Sequence, residues 1–193
     1  FEPLTKALRV MSEPTGLHIV PNRVTVSTAG IVPRIRDLAN IEDRPHLAVS
    51  LAAPTDELRD RLMPINKKWP LEELLSACRD FEASLRPGER FTFEYVLLAG
   101  VNDSDEQARQ LANLLNRHGL QRVKVNLIPH NPADPLPYRP SAPERVESFK
   151  KILESKGVYA FVRRPRGRDI YAACGQLAAV SAKPAAGLPV LQN

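Results

Sequence analysis

Hydrophobic and polar positions along the chain follow two periods, one typical of helices and one typical of strands. Helical spacing, together with proline or capping residues at the helix starts, predicts six helices, over Pro3–Ser12, Pro33–Asn40, Thr55–Met63, Pro70–Leu85, Ser104–His118 and Ser141–Gly157. Short apolar runs predict five strands, over Val24–Thr28, His46–Ala52, Phe91–Leu98, Val123–Ile128 and Val158–Val162. Helices and strands alternate along the chain, which is typical of a parallel sheet.

This order predicts an α/β fold with a parallel sheet of about five strands. The strands are short and largely apolar, as expected when both faces of a sheet are covered. An open doubly wound sheet and part of a (β/α) barrel both fit the pattern. The chain begins on a helix, so we expect the strand that should precede this helix to be missing.

Two of the predicted helices begin with the pattern of a capping box. Ser104 is followed by Gln107, and Ser141 is followed by Glu144. We expect each serine to cap the first turn of its helix. A third prediction concerns Cys78, which lies on the apolar stripe of the fourth helix, so we expect its side chain in the core.

Composition narrows the class of protein. With 193 residues, of which 43% are hydrophobic and 25% charged, the chain is long enough for one substantial domain or a large piece of one. It has neither an apolar run long enough to cross a bilayer nor an N-terminal signal pattern, so we expect a cytoplasmic protein with no membrane partner. The net charge of +5 fits an anionic partner, and we expect that partner to be nucleic acid.

Several kinds of site are absent from the sequence. Two cysteines give neither a disulfide framework nor a CxxC metal pair. The sequence also contains no glycine-rich phosphate loop, no zinc-ligand spacing and no GxSxG motif. These absences argue against nucleotide-phosphate, zinc and serine-hydrolase sites.

Polar side chains occur where the predicted strands end. Ser27 and Thr28 close the first strand, Ser50 lies near the end of the second, and His130 and Asn131 follow the fourth. Ligands of parallel α/β folds bind at this edge of the sheet. Hydroxyl and amide groups there suit a small zwitterion with a ribose. Each residue could instead cap the next helix or turn, and both interpretations stay open.

Cys174 follows a dense basic loop that contains Arg166 and Arg168. Neighbouring cations favour the reactive thiolate form of a cysteine. A small buried residue beside a solvated charge run is an equally good interpretation, because free cysteines are often buried.

Six motifs occur in order between about Pro3 and Ala179. They are Asn22–Pro33, Ala48–Pro54, Met63–Lys68, Phe93–Leu98, Asn126–Pro132 and Ala172–Leu177. Together they resemble the motifs of the radical-SAM adenine-C2 RNA methyltransferases, the RlmN family. The resemblance implies an incomplete (β/α) radical-SAM barrel of the TIM type over residues 1–179. The Ala-, Pro- and Gly-rich residues 180–193 are expected to form a disordered tail.

The resemblance also implies a reaction and its residues. Cys174 would take a methyl group from S-adenosylmethionine (SAM) and carry it to C2 of adenine in 23S rRNA, and in tRNA. A second SAM would be cleaved on a 4Fe-4S cluster that an electron donor reduces. Residues implied to contact SAM are Ser27, Ser50, Leu51, Ala52 and Asn131. Ala52 is often His in relatives, so only a backbone contact is expected there.

Arg166 and Arg168 are expected to hold RNA phosphates while the thiol approaches a base. The protein is expected to be a monomer. An adenine-C8 methyltransferase relative and a non-catalytic RNA-binding remnant are the alternatives.

The sequence departs from the family pattern in the residues for the cluster. It lacks the CxxxCxxC motif, a Gly-Glu-Pro segment, the resolving cysteine and the family's N-terminal catalytic Glu. Cys78 is in the wrong place to replace the resolving cysteine. Since the family carries these features upstream, we expect an N-terminally truncated chain that ligates no cluster and does not catalyse by itself.

Overall fold

The computed structural model describes residues 1–120, 123–132 and 137–163. The described helices follow the predicted order, as α1 Glu2–Ser12, α2 Val32–Ala39, α3 Asp56–Leu62, α4 Leu71–Ala83, α5 Asp105–Arg117 and α6 Pro143–Ser155. The strands are β1 Thr25–Thr28, β2 His46–Ser50, β3 Phe91–Leu97, β4 Lys124–Pro129 and β5 Tyr159–Val162. Short 3-10 helices at Pro21–Arg23 and Pro64–Lys67 were not predicted. Cys174, Arg166, Arg168 and residues 180–193 lie outside the described residues.

All five strands pair in parallel, and their order in the sheet is β1-β2-β3-β4-β5. A doubly wound sheet would reverse its order at a switch point, and this sheet does not. The sequential order is that of a (β/α) barrel, whose described strands form an open arc rather than a closed ring. The predicted incomplete barrel is therefore confirmed.

The two faces of the sheet differ in burial. Along β3 the side chains of Phe91, Phe93, Tyr95 and Leu97 are buried, and those between them are less so. The buried set joins the apolar residues of α2, α4, α5 and α6 in one core. We call the opposite face the open face, defined by Thr25, Ser27, Ala48, Ser50, Thr92, Glu94, Lys124, Asn126, Tyr159 and Phe161.

The expectation that both faces are covered is wrong for the described part of the chain. On the open face Tyr159 is 63% exposed and Phe161 is 49% exposed. A barrel explains this, because its helices lie on the outside and its inner face carries the binding groups.

The core position predicted for Cys78 is confirmed. Its side chain, on α4, is fully buried in the hydrophobic core between the helices and the sheet. Burial raises the pKa of the Cys78 thiol, which keeps it protonated. Cys78 is therefore a packing residue and an inert thiol.

Of the two predicted capping boxes, one is confirmed and one is wrong. The Ser104 hydroxyl accepts a hydrogen bond from the Gln107 backbone N–H, and the Ser104 N–H donates to Gln107 Oε1. The N-cap of α6 is instead Ala142, with Pro143 as the first helical residue and no side-chain cap. Ser141 donates to the Asp103 carboxylate at 2.6 Å, so a partner distant in sequence takes the hydroxyl.

No helix within the described ranges is long and apolar enough to cross a membrane.

Candidate ligand site at the carboxyl ends of the strands

Strand register places three polar residues in one row across the open face. Ser50 is opposite Glu94, and Glu94 is opposite Asn126. Neighbouring strands lie about 4.8 Å apart, so these side chains are neighbours. Asn126 Nδ2 donates to Glu94 Oε1 at 2.8 Å, which links β3 to β4. Ser27 lies one row back, opposite Ala48.

The hydroxyls predicted at the strand ends have different roles. Ser27 is exposed and Ser50 is partly buried on the open face. The Thr28 hydroxyl accepts hydrogen bonds from the amides of Gly30, at 3.1 Å, and Ile31, at 3.4 Å. Thr28 therefore stabilises the turn after β1, which is the second of the two roles left open by the sequence. Ser27 and Ser50 remain candidates for ligand contacts.

Leu51 lies just past β2 and its side chain is fully buried. Its N–H donates to the Glu94 carbonyl, and its own carbonyl accepts from Ala53 N–H and from Arg59 Nε. The polar groups of Leu51 are thus already in use. The predicted Leu51 contact with SAM stays a prediction, and Ser50 is the better placed of the two.

Ala52 ends the strand earlier than predicted, because its φ of 64° is left-handed and does not continue β2. The buried Asn102 side chain holds this turn by donating to the carbonyls of Ala52, at 2.9 Å, and Val96, at 2.7 Å. The Leu98 amide donates to Asn102 Oδ1 at 2.7 Å. A strained backbone position after β2 is therefore held by a residue of the loop that follows β3, which suits a binding role for this turn.

Arg59 ties the ends of β1 and β2 together from inside the protein. Its guanidinium is fully buried in α3. Nη2 donates to the carbonyls of Ala29, at 2.8 Å, and Ser50, at 3.1 Å. Nε donates to the Leu51 carbonyl at 2.9 Å, and Nη1 to Asn66 Oδ1 at 2.7 Å. One side chain thus sets the spacing of the carboxyl ends of the two strands that carry Ser27 and Ser50.

The charge of Arg59 is balanced through an amide. Asn66 Nδ2 donates to the carboxylates of Asp56, at 2.8 Å, and Asp60, at 2.7 Å. Burial lowers the pKa of Arg59, and the nearby Asp56 and Asp60 carboxylates oppose this. Gly30 makes the close approach possible, since a Cβ there would lie 3.1 Å from Arg59 Nη2 and its φ is +108°.

His130 and Asn131 follow β4 at the same edge. His130 is 8% exposed, and its Nε2 atom has no hydrogen-bond partner within the described residues. Burial lowers the pKa of His130, which favours the neutral imidazole. Its ring meets the Tyr138 ring edge-on, with centroids 6.3 Å apart.

Three residues of this region were not predicted as site residues from the sequence: Arg59, Glu94 and Asn102. Glu94 carried a signal, because it is a charged residue inside an otherwise apolar strand. Arg59 and Asn102 carried none, since their partners come from separate loops.

The described residues do not fit a metal cluster. No group of three or more His, Cys, Asp or Glu side chains within residues 1–120, 123–132 and 137–163 could hold a metal ion. The thiol of Cys78 is protonated in the core. The open face, with its row of hydroxyl, carboxylate and amide groups, does fit a small polar ligand such as SAM.

Comparison with solved structures defines the class of fold. A radical SAM methyltransferase from Sphaerobacter thermophilus superposes with a TM-score of 0.85 at 46% identity, covering 91% of this chain and 50% of that protein. A domain of a pyruvate-formate lyase-activating enzyme from Bacteroides vulgatus has a TM-score of 0.54 at 16% identity, covering 72% of this chain and 80% of that domain, and is similar in fold alone.

Curated sequences show the family. A probable dual-specificity RNA methyltransferase RlmN from Koribacter versatilis is 53% identical over 177 residues, covering 92% of this chain and 49% of the relative. The dual-specificity RNA methyltransferase RlmN of an Anaeromyxobacter species is 52% identical, covering 93% of this chain and 46% of the relative. No model of a known protein family matches the chain.

The fold is thus that of the radical-SAM methyltransferase class. Over the part that the alignments cover, the chain belongs to the RlmN family. It spans about half the length of the curated relatives it matches.

Proposed function

We propose that this chain is the carboxy-terminal part of a methyltransferase that transfers a methyl group from SAM to C2 of adenine in 23S rRNA, and in tRNA. Residues 1–179 are proposed to form part of its radical-SAM core, and the whole protein to act in the cytoplasm as a monomer. The observation that carries the proposal is the open polar face at the carboxyl ends of the strands. In a barrel this is where ligands bind. Relatives that are 53% and 52% identical to the chain are named as RNA methyltransferases.

The residues of the described part act by binding and orientation. Ser27 and Ser50 supply hydroxyls to SAM, and Ala52 offers backbone groups from its left-handed turn. Asn131 follows β4 at the same edge and supplies an amide. Arg59 orients the loops after β1 and β2, which keeps these groups at a fixed spacing. Such preorganisation lowers the cost of ordering a site when ligand binds.

The methyl-carrying step is assigned to Cys174, with Arg166 and Arg168 binding RNA phosphates. Cys174 is flanked by small residues and follows these arginines in sequence, which favours access and a thiolate. Its adenine target must leave the base stack to be reached. A 4Fe-4S cluster would supply reductive cleavage of SAM, but the described residues offer it no ligands. We therefore expect the chain by itself to be inactive.

The test is methylation of RNA by the full-length protein that carries this chain, with the modified base identified by mass spectrometry. Cys174→Ala should abolish methylation. Cys78→Ala is the matched control, because it removes the other cysteine from the core and should leave methylation intact in protein that stays folded.

Methylation that survives in the Cys174→Ala variant would overturn the role of this cysteine. A methyl group found at C8 of adenine would show that the C8 alternative is correct and the proposed C2 position is wrong. RNA binding without methylation by the unmodified full-length protein would leave only a binding function.

A further inference from the structure

Glu94 has an unsatisfied oxygen in the middle of the open face. Its Oε1 atom accepts from Asn126 Nδ2 at 2.8 Å. Its Oε2 atom is shielded from solvent and has no hydrogen-bond partner within the described residues. The Asn126 bond fixes the carboxylate, so the unsatisfied oxygen has a set direction.

Leaving a shielded carboxylate oxygen without a donor is unfavourable, at about 1–3 kcal/mol. The face has a cation nearby in Lys124, one row from Glu94 on the next strand. Its ammonium lies over the Phe161 ring, 5.4 Å from the centroid, and no ion pair to Glu94 is formed in the described structure. The bond from Asn126 thus uses one oxygen of the Glu94 carboxylate, and no group of the described structure uses the other.

A ligand that donates a hydrogen bond would supply the missing partner. Ser50, a proposed SAM contact, is directly opposite Glu94 on the neighbouring strand, so both face the same space. The sulfonium group of SAM has no N–H or O–H and cannot satisfy Oε2. The nucleoside part carries ribose hydroxyls and an exocyclic amine, which can.

Phe161 supports a nucleoside over the amino-acid part. It lies opposite Asn126 in the same row as Glu94, and it is 49% exposed. Two strand spacings separate it from Glu94, about 10 Å. An exposed aromatic ring at that distance offers a base a surface to pack on, while the carboxylate takes a donor at the other end.

We propose that Glu94 is a ligand-binding residue of the SAM site, whose Oε2 accepts a hydrogen bond from the nucleoside part of SAM, and that Asn126 positions this carboxylate. The inference rests on the proposed function, because it assumes that the open face binds SAM. It adds a residue and the group of the ligand that the residue recognises.

The test measures affinity by calorimetry in the full-length protein that carries this chain. The probes are S-adenosylhomocysteine, which lacks the sulfonium charge, and 5′-methylthioadenosine, which lacks the amino-acid part. Glu94→Gln should weaken both to a similar degree, by about 10- to 100-fold, as expected for loss of a hydrogen bond to a charged group. Thr92→Val, on the same strand and face, is the matched control and should stay within about twofold.

Asn126→Ala is the second variant, because it leaves the carboxylate but removes its orienting partner. We expect a smaller loss of affinity for both probes, about 3- to 10-fold, because the accepting carboxylate remains and only its orientation is lost. Unfolding in urea of each variant, compared with the parent protein, separates lost binding from lost folding.

Unchanged affinity in Glu94→Gln would overturn the inference. A loss for S-adenosylhomocysteine alone would place the donor in the amino-acid part and would contradict the nucleoside assignment. Failure of the unmodified protein to bind either probe would instead overturn the proposed function.

Discussion

Two buried arginines lie at opposite ends of the sheet and are bonded in different ways. Arg44, at 4% exposure, precedes β2 at the amino end, and Arg59, at 0%, lies at the carboxyl end. Arg44 pairs with the Glu89 carboxylate, and it also donates to the Ser84 hydroxyl and to the carbonyls of Ala39 and Ser84. Arg59 has no described ion pair and donates mainly to backbone carbonyls that follow β1 and β2.

The ion pair marks the amino end as one that serves stability, whereas the carboxyl end is the one that we propose binds ligand. At the amino end a charge pair closes the loops against each other. At the carboxyl end the Arg59 guanidinium bonds backbone carbonyls from inside the protein, so the side chains of Ser27 and Ser50 stay available to a ligand. Barrels of this class place their sites at the carboxyl ends of the strands.

The largest expected effect comes from removing either arginine. Arg44→Met and Arg59→Met should each destabilise the chain by about 3–5 kcal/mol, because each leaves buried partners without a donor. Urea unfolding followed by circular dichroism measures this.

Milder variants test whether the two ends of the sheet differ in ligand binding. Arg59→Lys in the full-length protein should weaken S-adenosylhomocysteine binding, because lysine cannot hold both loops. Arg44→Lys should not weaken it. Equal losses of affinity in the two lysine variants would show that the ends do not differ in function.

The second prediction concerns acid stability of the amino end. Burial alone would raise the pKa of Glu89, but hydrogen bonds from Arg44 and Arg86 outweigh it and lower the pKa to about 2. The ordinary value of 4.5 holds in the unfolded chain. Glu89 therefore stabilises the fold above pH 4.5, and this contribution is lost as the pH falls toward 2.

Urea midpoints measured between pH 6 and pH 2, a range that spans these pKa values, should decrease in the parent chain as the pH is lowered. They should fall less in Glu89→Gln, which is already destabilised at neutral pH. Parallel curves for the two proteins would mean that the Arg44–Glu89 pair does not have the assigned effect.

The smallest expected effects on stability are on the open face. Thr92→Val should change the free energy of unfolding by no more than about 0.5 kcal/mol, because its side chain does not pack in the core. Phe93→Ala, one residue away on the covered face, should cost about 3–5 kcal/mol. A large loss of stability in Thr92→Val would mean that the two faces contribute alike.

Local signals in the sequence were enough for most of the fold. The capping box at Ser104, the apolar stripe around Cys78 and the apolar run of β3 each depend on neighbours within a few residues. The order of helices and strands then restricted the sheet to two architectures. Register and strand order, which only the structure shows, decided for the barrel.

Long-range contacts account for what the sequence did not reveal. Ser141 looked like a cap, but its hydroxyl bonds Asp103, 38 residues away. Ala52 looked like a strand residue, but Asn102, 50 residues away, bonds the carbonyl of its left-handed turn. The burial of Arg59 depends on carbonyls from two other loops, so its own helix gives no sign of it.

The most direct test is an amide chemical-shift map of the full-length protein that carries this chain, titrated with S-adenosylhomocysteine. We predict shifts at Ser27, Ser50, Glu94 and Asn126 on the open face, and none at Arg44 or Glu89. Shifts concentrated at the amino end of the sheet, or on its helix-covered face, would contradict the assignment of the site.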